Sequence, residues 1–194
     1  MSQAILLLGP TGSGKTPLGD LLEERGVGVH FDFGSRLRAA NEAPGGLSAR
    51  DRELIAESLR TGALLEDENF PIAARILESA LADADLLILN GLPRHVGQAR
   101  DVDALVDIRT LLVLEATPEV VAERIARNTG GDRAGRSDDE LEAVRARLES
   151  YRVRTLPLVD HYVGLGARVI RLPVKVETTA GQLWSASLEA DSIT

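Results

Sequence analysis

Short, continuous runs of apolar residues alternate along the chain with segments whose apolar positions recur at helical spacing. Apolar runs that do not alternate with polar residues are typical of parallel strands buried on both faces of a sheet. Helical segments between such strands indicate right-handed crossover connections. The pattern therefore predicts an α/β fold with a five-stranded parallel sheet, whose strands include residues 4–8, 27–31, 86–89, 111–114 and 169–172.

Several helical segments begin or end at residues that favour helix termini. Gly26 follows segment 17–25, and glycine is common after the last helical residue because it tolerates positive φ. Thr117 and Pro118 stand before segment 120–127 and form a cap followed by a first-turn proline. The predicted helices include residues 17–25, 52–60, 71–81, 120–127 and 141–151, with a further helix around Trp184.

Composition limits the classes of function. The 194 residues suffice for one domain with a sizeable core, and we expect residues 1–194 to form it. A net charge of −8 argues against nucleic-acid binding, and the absence of cysteine excludes disulfides and cysteine-ligated zinc. No apolar run approaches the roughly 20 residues that a membrane-spanning helix needs, and no signal peptide is recognised. We therefore expect a cytoplasmic protein without membrane or nucleic-acid partners.

The first predicted strand runs into the sequence GPTGSGKT, which a predicted helix follows. This is the phosphate-binding pattern G-x-x-x-x-G-K-T in its required strand–loop–helix context. Its backbone amides can surround a phosphate, its lysine can reach the β- and γ-phosphates of a nucleoside triphosphate, and its threonine hydroxyl can bind Mg²⁺ directly. The predicted ATP-binding residues are Gly9, Pro10, Thr11, Gly12, Ser13, Gly14, Lys15 and Thr16. Such a loop alone leaves GTPases, ATPases and kinases open.

Together with this loop, three further stretches resemble the adenylate kinase family of nucleoside monophosphate kinases, over about residues 5–169. They are FGSRLRAA at 33–40, NGLPRHVGQA at 90–99 and ERIARNTGGDRAGRSDDELEAVRARLESY at 123–151. The resemblance implies a three-layer P-loop fold with helices that bind the monophosphate at about 34–70 and a short lid at about 128–136. It also implies transfer of the ATP γ-phosphoryl group to a nucleoside monophosphate, with Mg²⁺ as the cofactor.

The resemblance places the acceptor site on the first two of these stretches. Arg38 and Arg94 match arginines that bind the monophosphate, and Gln98 matches the glutamine that reads the adenine edge, so AMP is the expected acceptor. Residues 60–67 are similar to the segment whose backbone lines the base. The predicted monophosphate-binding residues are Phe33, Gly34, Arg38, Leu65, Gly91, Arg94 and Gln98.

The last stretch resembles the lid and the helix that follows it. Arg124 matches the position that stacks on the ATP adenine, while Arg136 and Arg147 match arginines that close over the transferred group. Arg127, or Arg133 in its place, is expected to join them. The lid lacks cysteine, so the resemblance is to the short-lid form without zinc. We expect a monomer whose catalytic residues are Lys15, Arg94, Arg127, Arg136 and Arg147.

Three residues depart from the family pattern near the predicted chemistry. The family usually has aspartate at the positions of Ser35 and Asn90, where the carboxylates hold water molecules of the Mg²⁺ shell. Asn90 can still bind such a water but adds no charge, so it is a candidate outer-shell residue, and Asn90→Asp is expected to raise turnover. Phe33 replaces a small residue that faces the monophosphate base.

These departures leave three functions open. The main interpretation is a short-lid, adenylate kinase-like enzyme that uses ATP and AMP. A module that binds nucleotides but has lost efficient catalysis is the first alternative, because the two carboxylates are missing. A kinase for another small phosphate acceptor is the second, because Phe33 changes the pocket for the base.

Overall fold

The structure is a computed structural model that describes residues 1–42, 47–61, 69–81, 84–132 and 141–192. A strand lies at each of the five predicted positions. β4 begins at Val106 rather than at residue 111, because its first half alternates buried and partly exposed residues and so lacks a continuous apolar run. The strands are β1 (Ser2–Leu8), β2 (Val29–Asp32), β3 (Leu86–Asn90), β4 (Val106–Glu115) and β5 (Arg168–Pro173).

Helices separate the strands as predicted. Thr117 caps one of them, since its hydroxyl oxygen accepts a hydrogen bond from the backbone N–H of Val120, and a π-helical turn, Tyr151–Thr155, separates two others. The described helices are α1 (Lys15–Glu24), α2 (Phe33–Glu42), α3 (Ala49–Thr61), α4 (Phe70–Leu81), α5 (Val96–Val102), α6 (Pro118–Arg127), α7 (Leu141–Ser150), α8 (Leu158–Gly164) and α9 (Ala180–Ser192). Within these ranges no helix is both long and apolar enough to span a membrane.

The five strands form one parallel sheet in the order β2-β3-β1-β4-β5. In its register, the Cα atom of Asn90 at the end of β3 is the partner of Asp32 on one side and of Leu7 on the other. The carboxyl ends of parallel strands meet at the same edge of a sheet, and ligands of α/β proteins bind at that edge. The fold therefore brings the ends of β1, β2 and β3 together where a ligand is expected.

Each face of the sheet carries its own hydrophobic core. On β1, Leu6 and Leu8 belong to a core that includes residues of α2, α3, α4, α5 and α8, whereas Leu7 belongs to a core with α1 and α9. Consecutive residues of a strand point to opposite faces, so both are apolar when helices cover both faces. This three-layer arrangement explains why the strands lack polar alternation, and it fixes the phosphate-binding loop between a buried strand and a buried helix.

Candidate active site

The loop between β1 and α1 has a conformation that depends on glycine. Gly12 and Gly14 have φ angles of +71° and +100°, which glycine adopts without the steric cost that other residues meet. A Cβ atom on Gly12 would lie 2.9 Å from Cγ1 of Ile125 in α6, so the loop also packs closely against that helix. Pro10 and Ser13 are buried parts of the same loop.

The side chain of Lys15 turns back over this loop. Its Nζ atom donates hydrogen bonds to the carbonyl oxygens of Gly9 and Pro10, at 2.7 and 2.8 Å. Lys15 is also the first residue of α1. A phosphate in the loop would therefore meet both the ammonium charge and the positive end of the helix dipole.

Thr16, Asp32 and Asn90 form a hydrogen-bonded group beside the loop. The Thr16 hydroxyl donates to Oδ2 of Asp32 at 2.7 Å. Nδ2 of Asn90 donates to the same Asp32 oxygen at 2.9 Å and to Oγ1 of Thr16 at 3.0 Å. The start of α1 and the ends of β2 and β3 thus contribute one side chain each. Asn90 lies next to Thr16, and its role near a metal stays a prediction.

Asp32 is a site residue that the sequence patterns missed. Burial alone would raise the pKa of its carboxyl group, but hydrogen bonds from the Ser35 amide and the Thr16 hydroxyl, together with electrostatic interactions with His30 and Arg38, outweigh burial, and the pKa lies below its ordinary value. The carboxylate is therefore ionised at neutral pH. A signal was available, because Asp32 directly follows the apolar run 27–31 and so stands at the carboxyl end of a predicted strand.

The turn after β3 holds Arg94 by its backbone. Its carbonyl oxygen accepts from Oγ1 of Thr155 at 2.7 Å, and its N–H donates to Oε1 of Gln98 at 2.8 Å. Gly91, which opens the turn, has a φ of +85°. The Arg94 main chain is therefore fixed by α5 on one side and by the π-helical turn on the other, and Gln98 itself is only 1% exposed.

The guanidinium group of Arg94 lies among other positive charges. Burial, and then the charges of Arg147 and Arg154, lower its pKa to about 10. Gathering like charges in a partly buried place is unfavourable unless an anion joins them, and arginine binds phosphate oxygens with two parallel hydrogen bonds. Arg94 and Arg147 both line the cleft that the phosphate-binding loop also lines, so they form a candidate second phosphate site in that cleft.

Arg38 and Phe33, both in α2, line the same cleft. Nη2 of Arg38 donates to the hydroxyl oxygen of Ser35 at 3.1 Å. The ring of Phe33 is 4% exposed and stacks against Phe31, with 6.2 Å between the ring centroids. Most of the Phe33 side chain is therefore core, and only a small part of its surface can meet a ligand.

Arg124 is buried and holds backbone carbonyl groups. It is 3% exposed, and its Nε atom donates to the carbonyl oxygen of Gly12 at 2.9 Å. Its Nη1 atom donates to the carbonyl oxygens of Lys175, Val176 and Thr178, each at 2.9 Å. Arg124 thus ties the phosphate-binding loop to the segment after β5, and its stacking on adenine stays a prediction.

Of the remaining predicted arginines, only Arg127 lies within the described residues. Arg127 is on the exposed side of α6, where its guanidinium group pairs with Glu123 and Glu177, and its role in catalysis stays a prediction. Arg136, Arg133 and Leu65 lie outside the described residues. The predicted lid, residues 128–136, lies within the described residues only as far as Asp132.

One cleft contacts both predicted nucleotide sites. The predicted residues that line it are Gly9, Thr11, Gly12, Gly14, Lys15, Thr16, Phe33, Gly34, Arg38, Asn90, Gly91, Arg94, Gln98 and Arg147. The sequence patterns missed Asp32, Ser58, Leu59, Asp132, Tyr151 and Thr155, which also line it. Besides Asp32, a signal existed for two of these, because Tyr151 and Thr155 follow Arg147 at intervals of four residues, the spacing of one helix face.

Comparisons with known proteins agree with this geometry. The family model described as adenylate kinase matches residues 7–166. An adenylate kinase of Stenotrophomonas maltophilia (strain K279a) is 35% identical over 170 residues, which cover 84% of this chain and 86% of that protein. An adenylate kinase of Prochlorococcus marinus (strain MIT 9211) is 36% identical over 176 residues, which cover 87% and 88%.

The chain belongs to the adenylate kinase family. Membership confirms the P-loop α/β fold, the resemblance on which the site was predicted, and the class of enzyme, a nucleoside monophosphate kinase that binds ATP. The match extends from β1 to the end of α8, so it includes the phosphate-binding loop, the turn after β3 and the π-helical turn.

The donor atoms near the loop suit Mg²⁺, the metal that this family uses with ATP. Thr16 offers a hydroxyl oxygen and Asp32 an ionised carboxylate, and Mg²⁺ prefers oxygen ligands. In the described parts of the chain, no three His, Cys, Asp or Glu side chains converge on one point. A magnesium ion here would therefore take most of its ligands from nucleotide phosphates and water.

Proposed function

We propose that the protein transfers the γ-phosphoryl group of ATP to AMP and releases two molecules of ADP. The observation that carries this proposal is one cleft that is lined both by Lys15 of the phosphate-binding loop and by Arg94 and Arg147. Two phosphate-binding groups on one cleft suit transfer between two nucleotides, because reacting atoms must be held about 3–3.5 Å apart.

The transfer needs no nucleophile from the protein. An oxygen of the AMP phosphate bonds to the γ-phosphorus while the bond from that phosphorus to the β–γ bridging oxygen breaks, and the bonding electrons leave with ADP. The protein holds the two phosphates in line and stabilises charge on the moving group. Lys15 binds the phosphates of ATP, and Arg38 and Arg94 bind the phosphate of AMP. Arg147, next to Arg94, stabilises the transferred phosphoryl group.

Gln98 supports AMP as the acceptor. The adenine edge presents a ring nitrogen that accepts a hydrogen bond and an amino group that donates one, and a carboxamide offers the complementary pair. Oε1 of Gln98 already accepts from the N–H of Arg94, but a carbonyl oxygen has two lone pairs and can accept a second hydrogen bond. The same side chain would then connect the base to the backbone of the arginine that binds its phosphate.

Magnesium would be held where Thr16 and Asn90 meet. Thr16 would bind the metal directly through its hydroxyl oxygen, and Asn90 would reach it through water. Mg²⁺ bound with ATP neutralises charge on the β- and γ-phosphates. Arginines and Lys15 supply the rest of the positive charge around the transferred group.

A coupled assay of ADP formation tests the function. The purified protein is given ATP and Mg²⁺ with AMP, CMP, UMP, GMP or dAMP in turn, and Lys15→Ala serves as the control for contaminating kinase activity. We expect AMP to have the highest kcat/KM. Faster turnover of CMP or UMP would contradict the role of Gln98, and a different phosphate acceptor would then be favoured.

The alternative of a nucleotide-binding module predicts a different result in the same experiment. That protein would bind ATP tightly by calorimetry yet form no ADP with any of the five monophosphates. Measuring ATP binding and turnover on one preparation therefore separates the two functions.

A further inference from the structure

Asp32 has two sets of hydrogen-bond partners, one for each carboxylate oxygen. Oδ1 accepts from the backbone N–H of Ser35 at 2.8 Å, which caps the first turn of α2. Oδ2 accepts from the Thr16 hydroxyl at 2.7 Å and from Nδ2 of Asn90 at 2.9 Å. A helix cap requires only the first oxygen, so the second one has another role.

That second oxygen orients the hydroxyl of Thr16. A hydroxyl group has one hydrogen and two lone pairs. The hydrogen of Thr16 points to Asp32, and Nδ2 of Asn90 donates to Oγ1 at 3.0 Å, which leaves one lone pair directed away from both neighbours. A metal ligand needs this orientation, because its lone pair must face the cation while its hydrogen faces elsewhere.

Asn90 is the chemical complement of Asp32. Its Nδ2 atom donates to Asp32 and to Thr16, whereas a carboxylate at position 90 could donate to neither. The two residues are also direct partners in the register of β2 and β3. An aspartate at position 32 with an amide at position 90 therefore has one negative charge, the same as a lone aspartate at position 90 would have. The charge lies on β2 instead of β3.

We propose that Asp32 positions Thr16 for the metal of MgATP and supplies the negative charge that faces its water shell, in place of carboxylates at Ser35 and Asn90. Mg²⁺ usually keeps several waters and binds one or two carboxylates together with substrate phosphates. One carboxylate at this corner is therefore enough. The inference rests on the proposed function only in that both need MgATP to bind in this cleft.

Calorimetric titration with ATP, in EDTA and in excess Mg²⁺, tests the proposal without any turnover. The magnesium gain of a variant is its dissociation constant for ATP in EDTA divided by its dissociation constant for ATP in excess Mg²⁺. Asp32→Asn is the test variant, because asparagine caps a helix as well as aspartate does, whereas it removes the charge and leaves one acceptor oxygen in place of two. Asp107→Asn is the matched control, since Asp107 lies at the start of β4, away from the ligand edge, and accepts from Nε of Arg109 at 2.6 Å.

We expect Asp32→Asn to reduce the magnesium gain about 10- to 100-fold, the usual effect of losing an outer-shell partner of a metal. Its affinity for metal-free ATP should stay the same or rise, because a negative charge near the phosphates is gone. The control should keep the wild-type gain. The double variant Asp32→Asn/Asn90→Asp, which moves the charge to β3, should recover the gain to within about threefold.

An unchanged magnesium gain in Asp32→Asn would overturn the proposal, as would equal weakening of ATP binding with and without metal. So would a double variant that recovers nothing. If Asp32→Asn is insoluble, Asp32→Ser replaces it, because serine keeps a capping oxygen but neither the charge nor the reach to Thr16.

The two proposals fail separately. If no monophosphate is phosphorylated but Asp32→Asn still loses the magnesium gain, the proposed function is wrong and the role of Asp32 stands. If AMP is phosphorylated and Asp32→Asn keeps the gain, the function stands and the role of Asp32 is wrong.

Discussion

Asn90→Asp is expected to destabilise the protein, although it restores the residue that the family usually has. Nδ2 of Asn90 donates to Asp32 at 2.9 Å and to Thr16 at 3.0 Å. A carboxylate has no hydrogen for either neighbour, so the substitution removes two hydrogen bonds and sets one negative charge against another. Asn90 is 5% exposed, which leaves the new carboxylate little access to water.

The structure sets the size of the effect. Two carboxylates whose charge centres are about 4 Å apart repel by about 4 kcal/mol at the effective dielectric constant of about 20 that suits such sites. Protonating one of them at pH 7 would relieve the repulsion at a cost of about 4 kcal/mol, from an ordinary pKa of about 3.9. Small rotations toward water lower both figures, so we expect a loss of about 2 to 4 kcal/mol in the free energy of unfolding. For a chain of this length that corresponds to a fall of about 5 to 15 °C in Tm.

Urea unfolding at pH 7, followed by circular dichroism on the protein without nucleotide, measures this loss. Asn90→Leu is the control, because it removes the two hydrogen bonds without adding charge and should cost clearly less. In the double variant Asp32→Asn/Asn90→Asp most of the lost stability should return, with a coupling energy of at least about 1.5 kcal/mol. The reasoning is refuted if Asn90→Asp is as stable as the wild type, or if removing the charge at Asp32 restores nothing.

Three further substitutions test other parts of the site and its support. Arg94→Ala should weaken AMP binding about tenfold or more and leave ATP binding nearly unchanged, as calorimetry with each nucleotide would show, because a charge-assisted phosphate contact contributes about 1.5–3 kcal/mol. Arg124→Ala should lower the free energy of unfolding, measured with urea, by about 3–5 kcal/mol, because four backbone carbonyl groups lose their donor. The control Arg127→Ala, at an exposed arginine, should lower it by about 1 kcal/mol or less. Gly19→Ala should destabilise the protein by about 1–3 kcal/mol, because the added Cβ would lie 2.2 Å from Nε2 of His30. Alanine normally favours helices over glycine, so a variant as stable as the wild type or more stable would contradict this close contact.

The sequence predicted those parts of the fold that depend on residues close to one another along the chain. Burial on both faces makes a strand apolar throughout, so five apolar runs were enough to predict the five strands of the sheet. The phosphate-binding pattern is likewise complete within the eight residues GPTGSGKT. The first half of β4 was missed because its residues alternate, with Val106 and Ile108 buried and Asp107 and Arg109 more exposed. A strand covered on one face over part of its length gives no single pattern.

Contacts between distant segments could not be predicted in this way. Arg124 donates to Gly12, 112 residues earlier, and to Lys175, 51 residues later. The family pattern identified Arg124 as a site residue, but nothing near it in sequence shows that four carbonyl groups surround its guanidinium. Such partners depend on which loops the sheet order brings together, and the sequence predicted the strands without their order.

Asp32 and Asn90 show why comparing one position at a time with a family pattern can mislead. Compared position by position, Asn90 is a lost carboxylate, and restoring it should raise turnover. In the sheet, Asp32 and Asn90 are cross-strand partners whose polar atoms lie 2.9 Å apart, so the same substitution adds a second negative charge to a corner that already has one. A negative charge at such a corner can come from either strand. The loss of aspartate at position 90 is therefore no argument against catalysis while Asp32 remains ionised beside Thr16.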